Sequence, residues 1–178
     1  MFEYLSKHDQ IIVTGPHRSG TTFTSEIIAE DLGYKLAPEN QFSGGKYPSR
    51  YFQLMYDRLS GWKKQGIKIV LHNPNIVSFV HLLDCFTPAI VFMRRNVQDI
   101  ISSERRIKWE GQEKRLIKDY YRDQGILSEV IYEVWDKYQK PLITHAYDLD
   151  YESLAAHPRW VPQDLRSNFS PHQTRPTT

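Results

Sequence analysis

Ile11-Ile12-Val13-Thr14-Gly15-Pro16-His17-Arg18-Ser19-Gly20-Thr21-Thr22 begins as a β-branched run and passes into a loop bounded by two glycines. Behind it, Phe23 to Leu32 carries apolar residues at 23, 27, 28 and 32, the spacing of one helix face. The order is strand, phosphate-cradling loop, helix N-terminus, which is the order of a P-loop. Gly15 and Gly20 frame the same gap as G-x-x-x-x-G-K-[ST], but Thr21 stands where that motif has lysine. The loop therefore keeps backbone N–H groups and hydroxyls for an anion and lacks the cation that reaches the β- and γ-phosphates of a nucleoside triphosphate. An anion other than the γ-phosphate of ATP is the expected ligand.

The later strands point the same way. P-loop NTPases hold Mg²⁺ with an Asp at the end of an apolar strand. Here Ile67-Lys68-Ile69-Val70-Leu71 runs into His72-Asn73-Pro74, and Ala89-Ile90-Val91-Phe92-Met93 runs into Arg94-Arg95-Asn96. One strand end offers an imidazole and the other two guanidinium groups. Ligands of open α/β sheets bind outside those ends. Arg, His, Thr and Ser there suit several negative charges without a metal.

The rest of the chain alternates strands and helices, which implies a parallel sheet. A short strand is expected near Tyr34 to Ala37, a loop at Ser43 to Ser49, and a helix over 50–65. A third strand falls at 67–71, a helix at 76–85 and a fourth strand at 89–93. Two or three helices span 97–140, interrupted around Gly111 and Gly125, before a fifth strand from Leu142 to His145 or slightly beyond. The expected fold is α/β: a three-layer αβα domain over 1–178, with a roughly five-stranded parallel sheet and an irregular tail at 159–178.

Composition narrows the classes. At 178 residues there is enough chain for a single domain with a real core. A net charge of +2 is too small to argue for nucleic acid, and the sole Cys85 excludes an intramolecular disulfide or a cysteine metal cluster. No run of 18 apolar residues marks a membrane span, and Met1 to Asp9 has no signal-like apolar core. The expectation is a soluble, cytoplasmic protein with no membrane or nucleic-acid partner.

Arg18-Ser19-Gly20-Thr21-Thr22 resembles the 5′-phosphosulfate loop of sulfotransferases that use 3′-phosphoadenosine 5′-phosphosulfate (PAPS), which reads Lys/Arg-Ser-Gly-Thr-Thr. That family's second motif is a strand-end Arg followed eight positions later by a Ser, together gripping the 3′-phosphate. Arg95 and Ser103 have this spacing, although Val97 stands where the family usually has Pro or Gly. Tyr151-Glu152-Ser153-Leu154 is similar to the Tyr-Glu-Asp-Leu segment after the last core strand. The three motifs occur in family order from residue 11 to about 158.

The resemblance implies sulfuryl transfer from PAPS to a hydroxyl or amine of a small-molecule, glycan or peptide acceptor. Ser19, Gly20, Thr21 and Thr22 would hold the 5′-phosphosulfate, Arg18 would sit near the bridging oxygen, and Arg95 with Ser103 would take the 3′-phosphate. Arg94, one residue off the motif, has the weaker claim. Two residues compete as base. His72 stands two residues before Pro74, as the catalytic His does in cytosolic small-molecule sulfotransferases. Glu39 lies 21 residues beyond Arg18, the offset of the base in tyrosylprotein sulfotransferases. The order taken is Glu39 as base and His72 assisting the leaving group, with the reverse kept open. Two other readings stand: a degenerate P-loop nucleotide kinase or hydrolase, and a non-catalytic binder of adenosine 3′,5′-bisphosphate. Acceptor-binding loops are expected at roughly 40–52, 104–125 and the tail, with Phe42, Tyr47 and Tyr51 as pocket candidates. Tyr151 and Glu152 are expected to serve structure.

Overall fold

In a computed structural model, residues 1–38, 41, 48–106 and 124–161 are described. Five parallel strands, β1 (Gln10–Thr14), β2 (Lys35–Ala37), β3 (Ile69–His72), β4 (Ala89–Arg94) and β5 (Ala146–Asp150), lie side by side in the order β2-β3-β1-β4-β5. β1 is central and all five of its residues are buried, because the sheet is covered on both faces. Strand periodicity then sorts the side chains into two cores. Ile11, Val13, Val70, Val91 and Met93 face one layer with Ile27 and Ile28 of α1 (Thr21–Leu32) and Leu154. Ile12, Leu71, Ile90 and Phe92 face the other, where Met55 and Leu59 of α2 (Pro48–Lys64) pack beside Val80, Leu83 and Trp135. This is the expected three-layer αβα architecture.

Two further α-helices lie among the described residues, α3 (Val97–Arg106) and α4 (Gln124–Val134). α4 runs on into a π-helical turn at Trp135–Gln139, which lays Trp135 flat on Phe92 with ring centroids 4.4 Å apart. No described helix is long and apolar enough to cross a membrane.

Residues 76–85 are helical as expected, in the tighter 3₁₀ form, over Pro74–Phe86. Gly125 lies in the first turn of α4, which begins at Gln124. One local expectation needs correction. The fifth strand starts later than the apolar pair at 142–143 suggested. Pro141 sits in a 3₁₀ turn over Lys140–Leu142, and the Ile143 N–H closes it on the Lys140 carbonyl at 3.2 Å. The strand that follows, Ala-Tyr-Asp-Leu-Asp, has two charged residues among its five, so its hydropathy hides it. Asp148 takes hydrogen bonds from Trp135, Arg94 and Lys140, and those partners make an acidic strand tolerable beside β4.

Candidate phosphate-binding site

The loop between β1 and α1 emerges at the carboxyl end of the sheet, flanked by the ends of β3 and β4. Arg18 adopts a left-handed backbone (φ 63°), which a residue with a Cβ holds only where its surroundings fix it. Here the Arg18 carbonyl accepts from Arg95 Nη1 at 2.9 Å, and its Nε donates to Ser103 Oγ at 3.2 Å. Ser19 is fully buried; its hydroxyl and its N–H both donate to the Pro16 carbonyl, at 2.7 and 3.2 Å. The Ser19 side chain thus shapes the loop from within.

Gly20 caps α1 at φ 96°, and having no side chain it offers no competing ligand to the helix N-terminus. The first N–H groups of an α-helix have no intrahelical acceptor, and the helix dipole favours an anion there. Thr21 and Thr22 open the helix. Thr21 is buried, with its Oγ1 3.0 Å from His72 Nε2, while the exposed Thr22 has its Oγ1 3.5 Å from the same nitrogen. His72 reaches them because it is the last residue of β3, in register with Val13.

At the end of β4, Arg94 and Arg95 diverge. Arg94 pairs with Asp136 and Asp148 over the Phe92 and Tyr132 rings, so it serves packing. Arg95 is buried beside the loop. Its guanidinium lies over the Tyr151 ring at 4.2 Å, and Tyr132 grips its backbone, accepting from the N–H at 3.0 Å and donating to the carbonyl at 2.7 Å. Asn96 Oδ1 then accepts from the Gln98 N–H at 2.8 Å and starts α3, which carries the buried Ser103 back to Arg18.

Residues far apart in sequence therefore meet: Arg18, Thr21, Thr22, His72, Arg95 and Ser103 lie around one loop. Glu39 falls outside the described residues, as do Phe42, Tyr47 and most of the expected acceptor loops. Two contributors were not assigned a role in the site from sequence. Tyr151 stacks on Arg95 and on Gly20, where an added Cβ would meet Tyr151 Cδ2 at 2.3 Å. Its place in the Tyr-Glu-Ser-Leu segment was the only signal. Tyr132 had none beyond a helical pattern. Among the described residues no group of three or more His, Cys, Asp or Glu side chains is placed to hold a metal ion.

Burial, with the charge of nearby His17 adding to it, lowers the His72 pKa from 6.5 to about 4. The folded value lies below the unfolded one, so the unfolded chain binds more protons between them. Stability is thus intact above the unfolded pKa and falls as pH drops toward the folded one. Urea denaturation from about pH 7 to about pH 4.5 should show a loss of about 2 kcal/mol that His72→Gln removes. An equal loss in the variant would assign the effect to other groups.

Comparison with solved structures gives the fold. Shikimate kinase from Acinetobacter baumannii, solved with shikimate, matches with a TM-score of 0.59 at 11% identity over 86% of this chain and 92% of that one. Shikimate kinase from Bacteroides thetaiotaomicron matches at 0.53 and 15% identity, over 80% and 86% of the two chains. A sugar kinase from Janibacter sp. matches at 0.50 and 10% identity, over 80% and 85%. The chain has a P-loop kinase-like fold. No family model matches it, and no curated protein matches it.

Proposed function

We propose that this chain is a sulfotransferase that takes a sulfuryl group from PAPS. The observation that carries the reading is the convergence on Arg18. Arg95 bonds to its carbonyl and Ser103 to its side chain, so the strand-end Arg and the helix Ser both adjoin the loop. Thr21, Thr22 and the α1 N-terminus would hold the 5′-phosphosulfate, and Arg95 with Ser103 the 3′-phosphate that ATP lacks. The acceptor oxygen attacks sulfur in line, the bond from sulfur to the bridging oxygen breaks, and adenosine 3′,5′-bisphosphate leaves. Arg18 would stabilise the charge that grows on that oxygen.

The acceptor proton needs a base. An imidazole with a pKa of about 4 is neutral at pH 7 but far below the value that suits a general base there. That favours Glu39 as base and His72 as a neutral hydrogen-bonding group at the loop. Single-turnover transfer from PAPS should fall by about 10²-fold or more in Glu39→Gln, with bisphosphate affinity unchanged. Near-full transfer in Glu39→Gln with none in His72→Ala would reverse the two roles.

A second reading, a P-loop nucleotide kinase or hydrolase, is favoured by the kinase folds among the structural matches. Against it stand Thr21 in the lysine position and strand ends bearing His72, Arg94 and Arg95 instead of a Mg²⁺-binding carboxylate. Phosphoryl transfer from Mg-ATP without sulfuryl transfer from PAPS would establish it.

A further inference from the structure

A second cluster of basic side chains lies at the opposite, amino end of the sheet, where β1, β4 and β5 begin. A cavity of about 350 Å³ opens there, its lining including Lys7, His8, Asp9, Lys63, Thr87 and His145. That volume is within the range of small-molecule sites, about 300–1,000 Å³. The His8 and His145 rings are 4.5 Å apart between centroids, and His8 is buried with Nε2 3.2 Å from Tyr147 Oη. Lys63 Nζ spends one hydrogen bond on the Phe86 carbonyl, at 2.9 Å, and an ammonium carries three donors. Asp9, the one carboxylate among the described lining residues, sits 3.7 Å from Lys68, which offsets its charge.

Two features of this cavity run against stability alone. Cationic and imidazole groups are gathered around one space, where like charges repel. Burial, His145 and Lys7 all lower the His8 pKa. Independently, Thr87 in the lining has φ 55°, a left-handed backbone that is costly for a β-branched residue. Strain of this kind gathers at ligand sites.

We infer that this cavity is an oxyanion site, separate from the phosphate loop, that takes a phosphate or sulfate group carried by a small molecule. The lysines supply the charge, and the paired imidazoles supply N–H donors. The inference does not depend on what the loop binds.

Inorganic phosphate is the probe, followed by the ring ¹H–¹⁵N signals of His8 and His145. The protein carries Arg18→Ala and Arg95→Ala, so that the loop does not mask the second site. Saturable shifts of both rings are expected, with affinity about tenfold weaker once Lys7→Ala and Lys63→Ala are added. Both lysines are exposed, so folding is not at stake. Rings unmoved by phosphate, or moved equally by chloride at matched ionic strength, would overturn the site. Repeating the titration with sulfate and with a phosphorylated sugar separates a free ion from an ester: tighter binding of the ester supports a small-molecule ligand, and equal binding overturns that part.

Discussion

Gly20→Ala is expected to cost about 3 kcal/mol of stability and to abolish anion binding at the loop. Two penalties combine. The backbone stands at φ 96°, outside the regions open to alanine, and the new methyl would fall 2.3 Å from Tyr151 Cδ2 and 2.5 Å from Cε2. That ring cannot retreat freely, since Arg95 stacks on it and Trp160 packs against it with centroids 4.9 Å apart. Gly66→Ala is the control. It has φ 61° with nothing within 4 Å of the added carbon, so it should cost only about 1 kcal/mol for the backbone. Adding Tyr151→Ala to Gly20→Ala should recover part of the stability by removing the clash and leaving the backbone strain. Urea denaturation and phosphate binding read both effects. Equal stability losses at Gly20 and Gly66 would mean that Tyr151 does not clamp the loop.

Arg95→Ala is expected to weaken adenosine 3′,5′-bisphosphate by about 100-fold, the scale of a lost charge-assisted contact to phosphate. AMP, which has no 3′-phosphate, should lose much less. Some loss is expected even for AMP, because Arg95 Nη1 also holds the Arg18 carbonyl and so the left-handed turn of the loop. The ratio of the two affinities is therefore the informative quantity. Arg94→Ala should leave that ratio unchanged while lowering stability, since its partners are Asp136 and Asp148. Parallel losses for bisphosphate and AMP in Arg95→Ala would make Arg95 a structural prop of the loop alone.

The two ends of the chain's logic were legible to different degrees. The β1–loop–α1 unit was readable because each physical requirement leaves a local mark: a β-branched strand, glycines where the backbone turns, an amphipathic helix. The strands at 67–71 and 89–93 were readable because a sheet covered on both faces demands unbroken apolar runs. β5 was not, since it alternates aspartate with inward residues and depends on Lys140, Arg94 and Trp135, none adjacent in sequence. In the site, the nature of Arg95, His72 and the threonines could be read, but not the Arg18–Ser103 bond or the Tyr151 stack. Those arise from tertiary approach and have no periodicity. The distinction between Arg94 and Arg95 rested on motif spacing, and the structure gives the two different partners, Asp136 and Asp148 for Arg94 and the Arg18 carbonyl for Arg95.

A P-loop kinase-like fold leaves the transferred group open, because function lies in the site grafted on the fold. The structural matches share this chain's architecture at identities too low to carry chemistry with them. The choice rests on whether the loop is built for a nucleotide with a 3′-phosphate or for a nucleoside triphosphate with Mg²⁺. Calorimetric titration of the wild-type chain with adenosine 3′,5′-bisphosphate, set against Mg-ATP, separates the two directly. Tight binding of the bisphosphate with weak or absent binding of Mg-ATP is the result predicted here; Mg-ATP binding as tightly or more tightly would contradict it and make this a nucleotide kinase site.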